Sequence, residues 1–309
     1  MDNAEQTYLT GLEMIGQDEN YEKGIQLITD AAESGYAPAM KRLYYMYNLG
    51  FYATQDRNKS VIWAKKYADH LAATLGAEHP DTLYALNNLG KNYREIDNHE
   101  EAIKVYEPLY APFCKAFDND HNLKLAILHN FADTCKKLGE YDKAISLYED
   151  LYALICSIMG EDPFEALPIL SKIADVYHQI GDNERTLEFD KKRYAIFCNV
   201  YGEKAPEAIK LLSEVANSYR NVGNNEMAFE HFKKSYELSR EAFGEEHPET
   251  VGVLNAVAYT SFHAGHKKEA LEYYKILHPL SSRVYGAEHT ITDSAERAIS
   301  VIPGMLDEE

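Results

Sequence analysis

Cysteine is scarce in this chain, basic residues are in deficit, and catalytic motifs are missing. The 309 residues hold four cysteines, Cys114, Cys135, Cys156 and Cys198. Three of them, 114, 156 and 198, fall at equal 42-residue steps. Equivalent positions in stacked helical units are separated by helix-contact spacings of roughly 8–10 Å. A disulfide needs Cα atoms within about 7 Å, so reduced, buried thiols are expected. No CxxC or HxxxH pairing is present, and no metal site is expected. Lys plus Arg is 31 against 50 Asp plus Glu, a formal net charge of −19. That argues against non-specific nucleic-acid binding, which needs many cations on phosphates. It leaves room for a local basic groove. No run approaches the ~18 apolar residues of a membrane span. The opening MDNAEQTYLTGLEM lacks the charged and apolar regions of a signal peptide, so a cytoplasmic location is expected. A Gly-rich phosphate loop, GxSxG and HExxH are all absent. The expectation is a chain that is not an enzyme and needs no cofactor.

What is present is a fixed period. Gly76, Gly160, Gly202, Gly244 and Gly286 lie on one 42-residue grid, which only Asp118 breaks. The surrounding lines recur as GAEHPDT, GEKAPEA, GEEHPET and GAEHTIT. Self-similarity at such a period marks an array of stacked supersecondary units. Arrays of this kind offer long concave binding surfaces. Within 76–117, apolar or small residues at 83, 86, 89, 90 and 93, then at 102, 103, 106, 109 and 110, follow helical spacing. Asp81 or Thr82 behind Pro80 marks a helix start. Asp97-Asn98 breaks the pattern, as do Gly139, Gly181, Gly223 and Gly265 in later units, where a left-handed residue closes a helix. Sustained period-two alternation is absent, so each unit reads as helix, tight turn and longer helix.

The columns of the grid keep their chemistry. Small residues align at Gly90, Ala132, Ala174, Ala216 and Ala258, where helices must approach closely. Ala102, Ala144, Ala228 and Ala270 align likewise, with Thr186 as the exception. Tyr106, Tyr148, Phe232 and Tyr274 form an aromatic column broken by Asp190. These columns are expected to be packing. His79, His121, His247 and His289 recur at the junctions, while His263 and His266 flank a turn. Helix-start packing or solvation explains them better than metal binding. Pro108 and Pro112 predict a kink or early end to their helix. Pro168 predicts a first helix that begins near Glu165, and Pro303-Gly304 a final helix that stops there.

The order Leu86, Leu89-Gly90, Tyr93, Ala102, Tyr106 resembles the tetratricopeptide repeat (TPR). The 42-residue length and the GxxHP(D/E)T junction resemble its kinesin-light-chain subtype. Residues 34–75, with AESGYAPA and Leu43, Tyr47, Gly50, Asp56, Trp63 and Ala68, resemble a Sel1-like repeat. The resemblance implies an all-α fold, a right-handed α-solenoid of stacked antiparallel helix pairs. Its expected organisation is two Sel1-like repeats over 1–75, five 42-residue units over 76–285, and a capping helix with an acidic tail, expected to fray, over 286–309.

The resemblance also implies that the first helices line a concave groove. Carried over residue by residue, the groove would present Asn87, Asn88, Lys91 and Arg94, then His129, Asn130 and Lys136, then Lys172. Lys210, Ser213, Asn217 and Arg220 follow, and Asn255, Tyr259 and Phe262 come last. Counted over all its positions, the strip carries seven cations and four acids, a net of +3 on a chain of −19. Asn and Ser suit clamping of a peptide backbone, and Arg and Lys suit carboxylates. The expected partner is a protein or peptide, with an acidic segment or free C-terminus in the groove and an apolar side chain near Tyr259 and Phe262. The alternative is a solvated groove whose charge excess is incidental. Two function classes follow: a non-enzymatic scaffold or adaptor, or a regulatory or sensor subunit of a separately encoded enzyme.

Overall fold

The computed structural model describes residues 3–16 and 20–307. Among them the chain is helical throughout, with fifteen α-helices, one short 3-10 turn and no strand. It forms two compact units, Met1–Leu154 and Ile155–Glu309.

The first unit contains α1 (Asn3–Gly16), α2 (Tyr21–Glu33), α3 (Ala37–Leu49), α4 (Arg57–Leu75), α5 (Pro80–Glu95), α6 (His99–Ala116), α7 (His121–Leu138) and the start of α8 (Tyr141–Met159). The second contains the end of α8, then α9 (Leu167–Gln179), α10 (Asn183–Tyr201), α11 (Pro206–Asn221), α12 (Asn225–Phe243), α13 (Pro248–His263), α14 (Lys267–Tyr285) and α15 (Thr290–Asp307). From α1 to α7, and again from α9 to α15, each helix packs against the next. Such short connections make neighbours antiparallel, so each unit is an α-solenoid stack of helix pairs.

The two helices of a 42-residue repeat start differently. Second helices take Asn or Asp caps: Asn98, Asp182 and Asn224 each accept an N–H from the first turn of α6, α10 and α12. Three first helices, α5, α13 and α15, use the junction histidine, followed by proline in the first two. Nδ1 of His79, His247 and His289 accepts the N–H two residues on, at 3.2 Å each time. The ring also stacks on the aromatic that ends the preceding helix, Phe243 on His247 at 4.9 Å and Tyr285 on His289 at 4.6 Å. The helix-start role expected of these histidines is thus observed, and the cap of α5 is His79 rather than Asp81 or Thr82. His121 departs from the column, because Asp120 caps α7 instead.

The cores follow the columns. Tyr106 and Tyr148 are fully buried, and Phe232 and Tyr274 nearly so. Gly90 explains its own column position: a Cβ there would lie 2.7 Å from the Tyr106 ring. In the N-terminal pair, Gly11 and Gly24 serve the same end, since a Cβ on either would meet the other's carbonyl oxygen within 2.9 Å. The inter-helix glycines 181, 223 and 265 adopt φ of +79°, +79° and +92°, as the turn prediction requires. All four cysteines are free, and burial pushes the Cys135 thiol up to about 12.

Proline is where the structure corrects the sequence reading. α6 does not end early; it continues through Pro108 and Pro112 to Ala116. Pro108 is exposed, so the carbonyl it leaves unpaired faces water, while buried Leu109 and Phe113 hold the helix to the core. Nor does Pro303-Gly304 stop α15, which reaches Asp307. Ile302 is buried and Leu306 packs against the same core, which keeps the last turn helical. Packing on both sides of a proline outweighs the one hydrogen bond it removes. Of the tail expected to fray, Leu306 and Asp307 are helical, and Glu308 and Glu309 lie outside the described residues. The expected start near Glu165 is a 3-10 turn, Phe164–Ala166, that leads into α9.

Candidate ligand-binding surface

First-helix positions divide into residues that reach solvent and residues the stack consumes. In α5, Asn87 is 93% buried, at 7% exposure, and so corrects its assignment to the open groove. Its place on the helix turns it toward the packed side. Lys91 is exposed and sits 3.9 Å from Glu95. Arg94 is spent inside the array. It donates to Asn130 Oδ1 and, at 2.9 Å, to Asp133 Oδ2, both on α7. Tyr148 of α8 donates to the other Asp133 oxygen at 2.6 Å, and His129 Nδ1 lies 3.8 Å from Asp133. The Asp133 carboxylate therefore gathers three side chains. Burial raises the neighbouring Tyr106 hydroxyl above the ordinary tyrosine range, with Arg94 opposing. Asn88 and Lys136 are half-buried.

In the second unit, Lys172, Asn217 and Asn255 are half-buried and Lys210 is exposed. Lys210 lies 3.6 Å from Glu207. Ser213 is turned inward, its hydroxyl 2.7 Å from that of Ser235 on α12 and 3.3 Å from the Ile209 carbonyl. It therefore does not offer a free clamp. Asn217 donates back to the Ser213 carbonyl at 3.1 Å. The Arg220 guanidinium stands 5.9 Å from the centre of the Tyr259 ring, within cation–π range. Arg94 is thus committed within the fold, and because its partner Asp133 is already among the four acids counted, the formal charge of the strip is unchanged.

Two concavities lie within this unit. One, of about 300 Å³, is apolar and lies between α13 and α15, with Tyr259, Phe262, Val301 and Met305 among its walls. Tyr259 and Phe262 do line a space suited to an apolar side chain. The other, of about 510 Å³, is polar and lies among α9, α10 and α11. Its walls include Ser171, Asp175 and His178 from α9 and Asn217, Arg220 and Asn221 from α11; its floor is Asp190, Arg193, Glu214 and Ser218.

That floor sits where two columns of the array break. Asp190 stands in the aromatic column of Tyr106, Tyr148, Phe232 and Tyr274. Arg193, three residues on, stands in the column that holds the buried Leu109, Leu151 and Leu277 and, in the next repeat, the buried Ser235. An apolar pair one helical turn apart has become an ion pair: Arg193 donates to Asp190 at 3.0 Å and to Glu214 at 3.1 Å. Ser218 donates to the second Asp190 oxygen at 2.6 Å. Asp190 is 7% exposed. The breaks at Asp190 and Thr186 were visible in the sequence, but the partnership of Arg193, Glu214 and Ser218 was not, because it joins two repeats. Among the described residues there is no cluster of three or more His, Cys, Asp or Glu arranged to hold a metal ion.

Comparison with known proteins agrees with this geometry. Tetratricopeptide-repeat family models match residues 83–107, 127–159 and 207–276. No curated protein matches the sequence. Solved structures do match in fold. TPR-like repeats of a kinesin light chain from Podosopora anserina superpose with a TM-score of 0.52 at 21% identity, covering 67% of this chain and 99% of that one. The C-terminal part of a TPR repeat-containing protein from Cytophaga hutchinsonii gives 0.51 at 14%, over 87% and 95% of the two chains. The apo form of RapI gives 0.52 at 14%, over 99% and 72%. Tetratricopeptide-repeat models thus match three segments of the chain, and its stacked antiparallel helix pairs share the fold of TPR-like repeats.

Proposed function

We propose that the chain is a non-enzymatic scaffold that holds a segment of a partner protein against the first-helix faces of its repeats. The observation that carries this reading is the pair of adjacent concavities in the second unit, one polar and one apolar. Both are lined by first helices, and the Arg220–Tyr259 contact links them. A surface with convergent polar groups beside an apolar recess is the usual form of a recognition site. Asn88 in the first unit and Asn255 in the second are half-buried amides on first helices, and an amide both donates to and accepts from a peptide backbone. An acidic segment would be met by Lys91 and Lys210, whose exposed ion pairs are long and contribute little.

The test is affinity purification from the native cell, followed by lysine cross-linking and mass spectrometry. The expected result is a partner peptide joined to Lys91, Lys172 or Lys210 on first helices. Cross-links confined to second-helix lysines such as Lys104, Lys234 and Lys275 would overturn the reading. If the captured partner is an enzyme, its turnover with and without the chain separates passive scaffolding from control of that enzyme.

A further inference from the structure

We propose that a small tyrosine-lined pocket of the first unit, between α3 and α5 and floored by α4, receives a proline of the bound segment. The inference rests on the scaffold reading and names one anchor residue. Three observations support it.

The first is space. Asp56 caps α4 as Asn98, 42 residues on, caps α6. Ala64 therefore stands in register with the buried Tyr106, at the head of the aromatic column. An alanine there leaves a pocket of about 40 Å³, walled by Tyr44 and Tyr45 of α3, Tyr67 of α4 and Tyr84 of α5. One water needs about 10–15 Å³, so the pocket takes about three water-sized groups, the scale of the three methylenes of a pyrrolidine ring. The second is a set of unmet donors. The hydroxyls of Tyr45, Tyr67 and Tyr84 and the side-chain amide of Asn88, all on the lining, make no hydrogen bond to any described residue. Burial pushes the Tyr44 hydroxyl up to about 12 and, with neighbouring groups, raises those of Tyr45 and Tyr67. The phenols therefore stay protonated and able to donate. The third is neutrality. The lining has one cation, Lys41, and one carboxylate, Asp81; both are exposed and they cancel. The pocket thus favours a guest without charge.

Proline meets these conditions together. Its ring is apolar, it brings no N–H to set against the donors, and the carbonyl before it is an acceptor. A proline-rich segment is already extended, so binding orders it at low entropic cost, and grooves lined by aromatic rings are its usual receptors. The geometry also orders the roles. Tyr44 is 6% exposed, bonds to Asn92 and lies 4.5 Å from the Tyr45 ring, so it is a fixed wall that positions its neighbour. Tyr84 is 42% exposed, so it is the ring that would touch the guest from the open side. Asn88, one turn further along α5, would donate to the guest's carbonyl.

The experiment uses the full chain and short fluorescent probes, acetylated and amidated Gly-Ser peptides with a central Pro-Pro, Leu-Leu, Lys-Lys or Glu-Glu pair. Affinity is read by fluorescence polarisation. The Pro-Pro probe should bind about 5–10-fold more tightly than each of the others, the discrimination that one fitted apolar group supplies. Tyr84→Ala should erase most of that preference with the thermal midpoint unchanged. Ala64→Phe, which refills the column, should abolish the preference, and circular dichroism checks that it folds. If Ala64→Phe fails to fold, Tyr84→Ala alone decides. Equal binding of the Pro-Pro and Leu-Leu probes, or a proline preference that survives Tyr84→Ala, would sink the inference. Tightest binding of the Lys-Lys probe would sink it too, because the rings would then be receiving a cation. These outcomes leave the scaffold reading intact, because cross-linking tests that reading separately on first-helix lysines.

Discussion

The surfaces around Asp133 and Asp190 use the same residue types and reach opposite results. Around Asp133 the acid sits on a first helix. A tyrosine from the following second helix and an arginine from the preceding repeat converge on it, and the tyrosine ring keeps its place in the core. Around Asp190 the acid sits on the second helix, in the tyrosine's own column, with its arginine one turn away. The groups are satisfied there as well, but the aromatic volume is gone and a cleft remains. Polar satisfaction and filled volume are therefore separate requirements. A repeat can meet the first while relaxing the second, and that freedom is how a uniform stack acquires a distinct site.

The comparison can be broken most severely by exchanging its two halves. Tyr148→Asp would bury a carboxylate beside Asp133 with no arginine of its own. It should cost about 4 kcal/mol, the range for an uncompensated buried charge, and urea unfolding of the purified chain measures it. The reciprocal change, Asp190→Tyr, should cost less, about 1–3 kcal/mol, since it strains a site with room to spare while leaving Arg193 paired to Glu214. Equal costs for the two exchanges would refute the claim that only one site holds spare volume.

Gly90→Ala sharpens the packing side of the comparison. Its methyl group would meet the Tyr106 ring at 2.7 Å. The expected loss is about 1–3 kcal/mol, and because the clash is with ring carbons the double variant Gly90→Ala/Tyr106→Phe should not relieve it. The smallest effect concerns the junctions. His79→Ala removes an observed cap and should cost about 1 kcal/mol, whereas His121→Ala, where Asp120 caps the helix, should cost almost nothing. Similar shifts in thermal midpoint for the two would mean that the histidine column acts by packing rather than by capping.

Much of the fold was legible because the repeat multiplies each weak local signal. One glycine at 223 is ambiguous; glycines at 139, 181, 223 and 265 are a turn. The helix ends were less legible at prolines, since the fate of Pro108 and Pro303 depends on Leu109, Phe113, Ile302 and Leu306 gripping the core, which spacing alone does not reveal. The candidate site was legible in outline only. Asp190 announced itself as a break, and Tyr259 and Phe262 were assigned to an apolar recess that they do line. Charge counting along the strip does not say which cations are committed: Arg94 reaches Asp133 from 39 residues away. Asn87 and Ser213 were placed on the open face by register, yet one is buried and the other bonds within its helix pair.

The histidine junction carries a consequence for how such a chain can change length. At His247, the stacked ring of Phe243, the accepting capping nitrogen and the donating N–H of Glu249 all lie within seven residues. A duplication or deletion cut just before the aromatic that precedes a junction glycine, such as Phe243, would therefore move a block whose leading edge already contains its own joint. Repeat number is thereby uncoupled from joint design, and lineages are free to lengthen or shorten the array by unequal crossover. What does not travel with such a block is the Asp190 floor, because Glu214 and Ser218 belong to the next one. A copied block would inherit the architecture and lose the site.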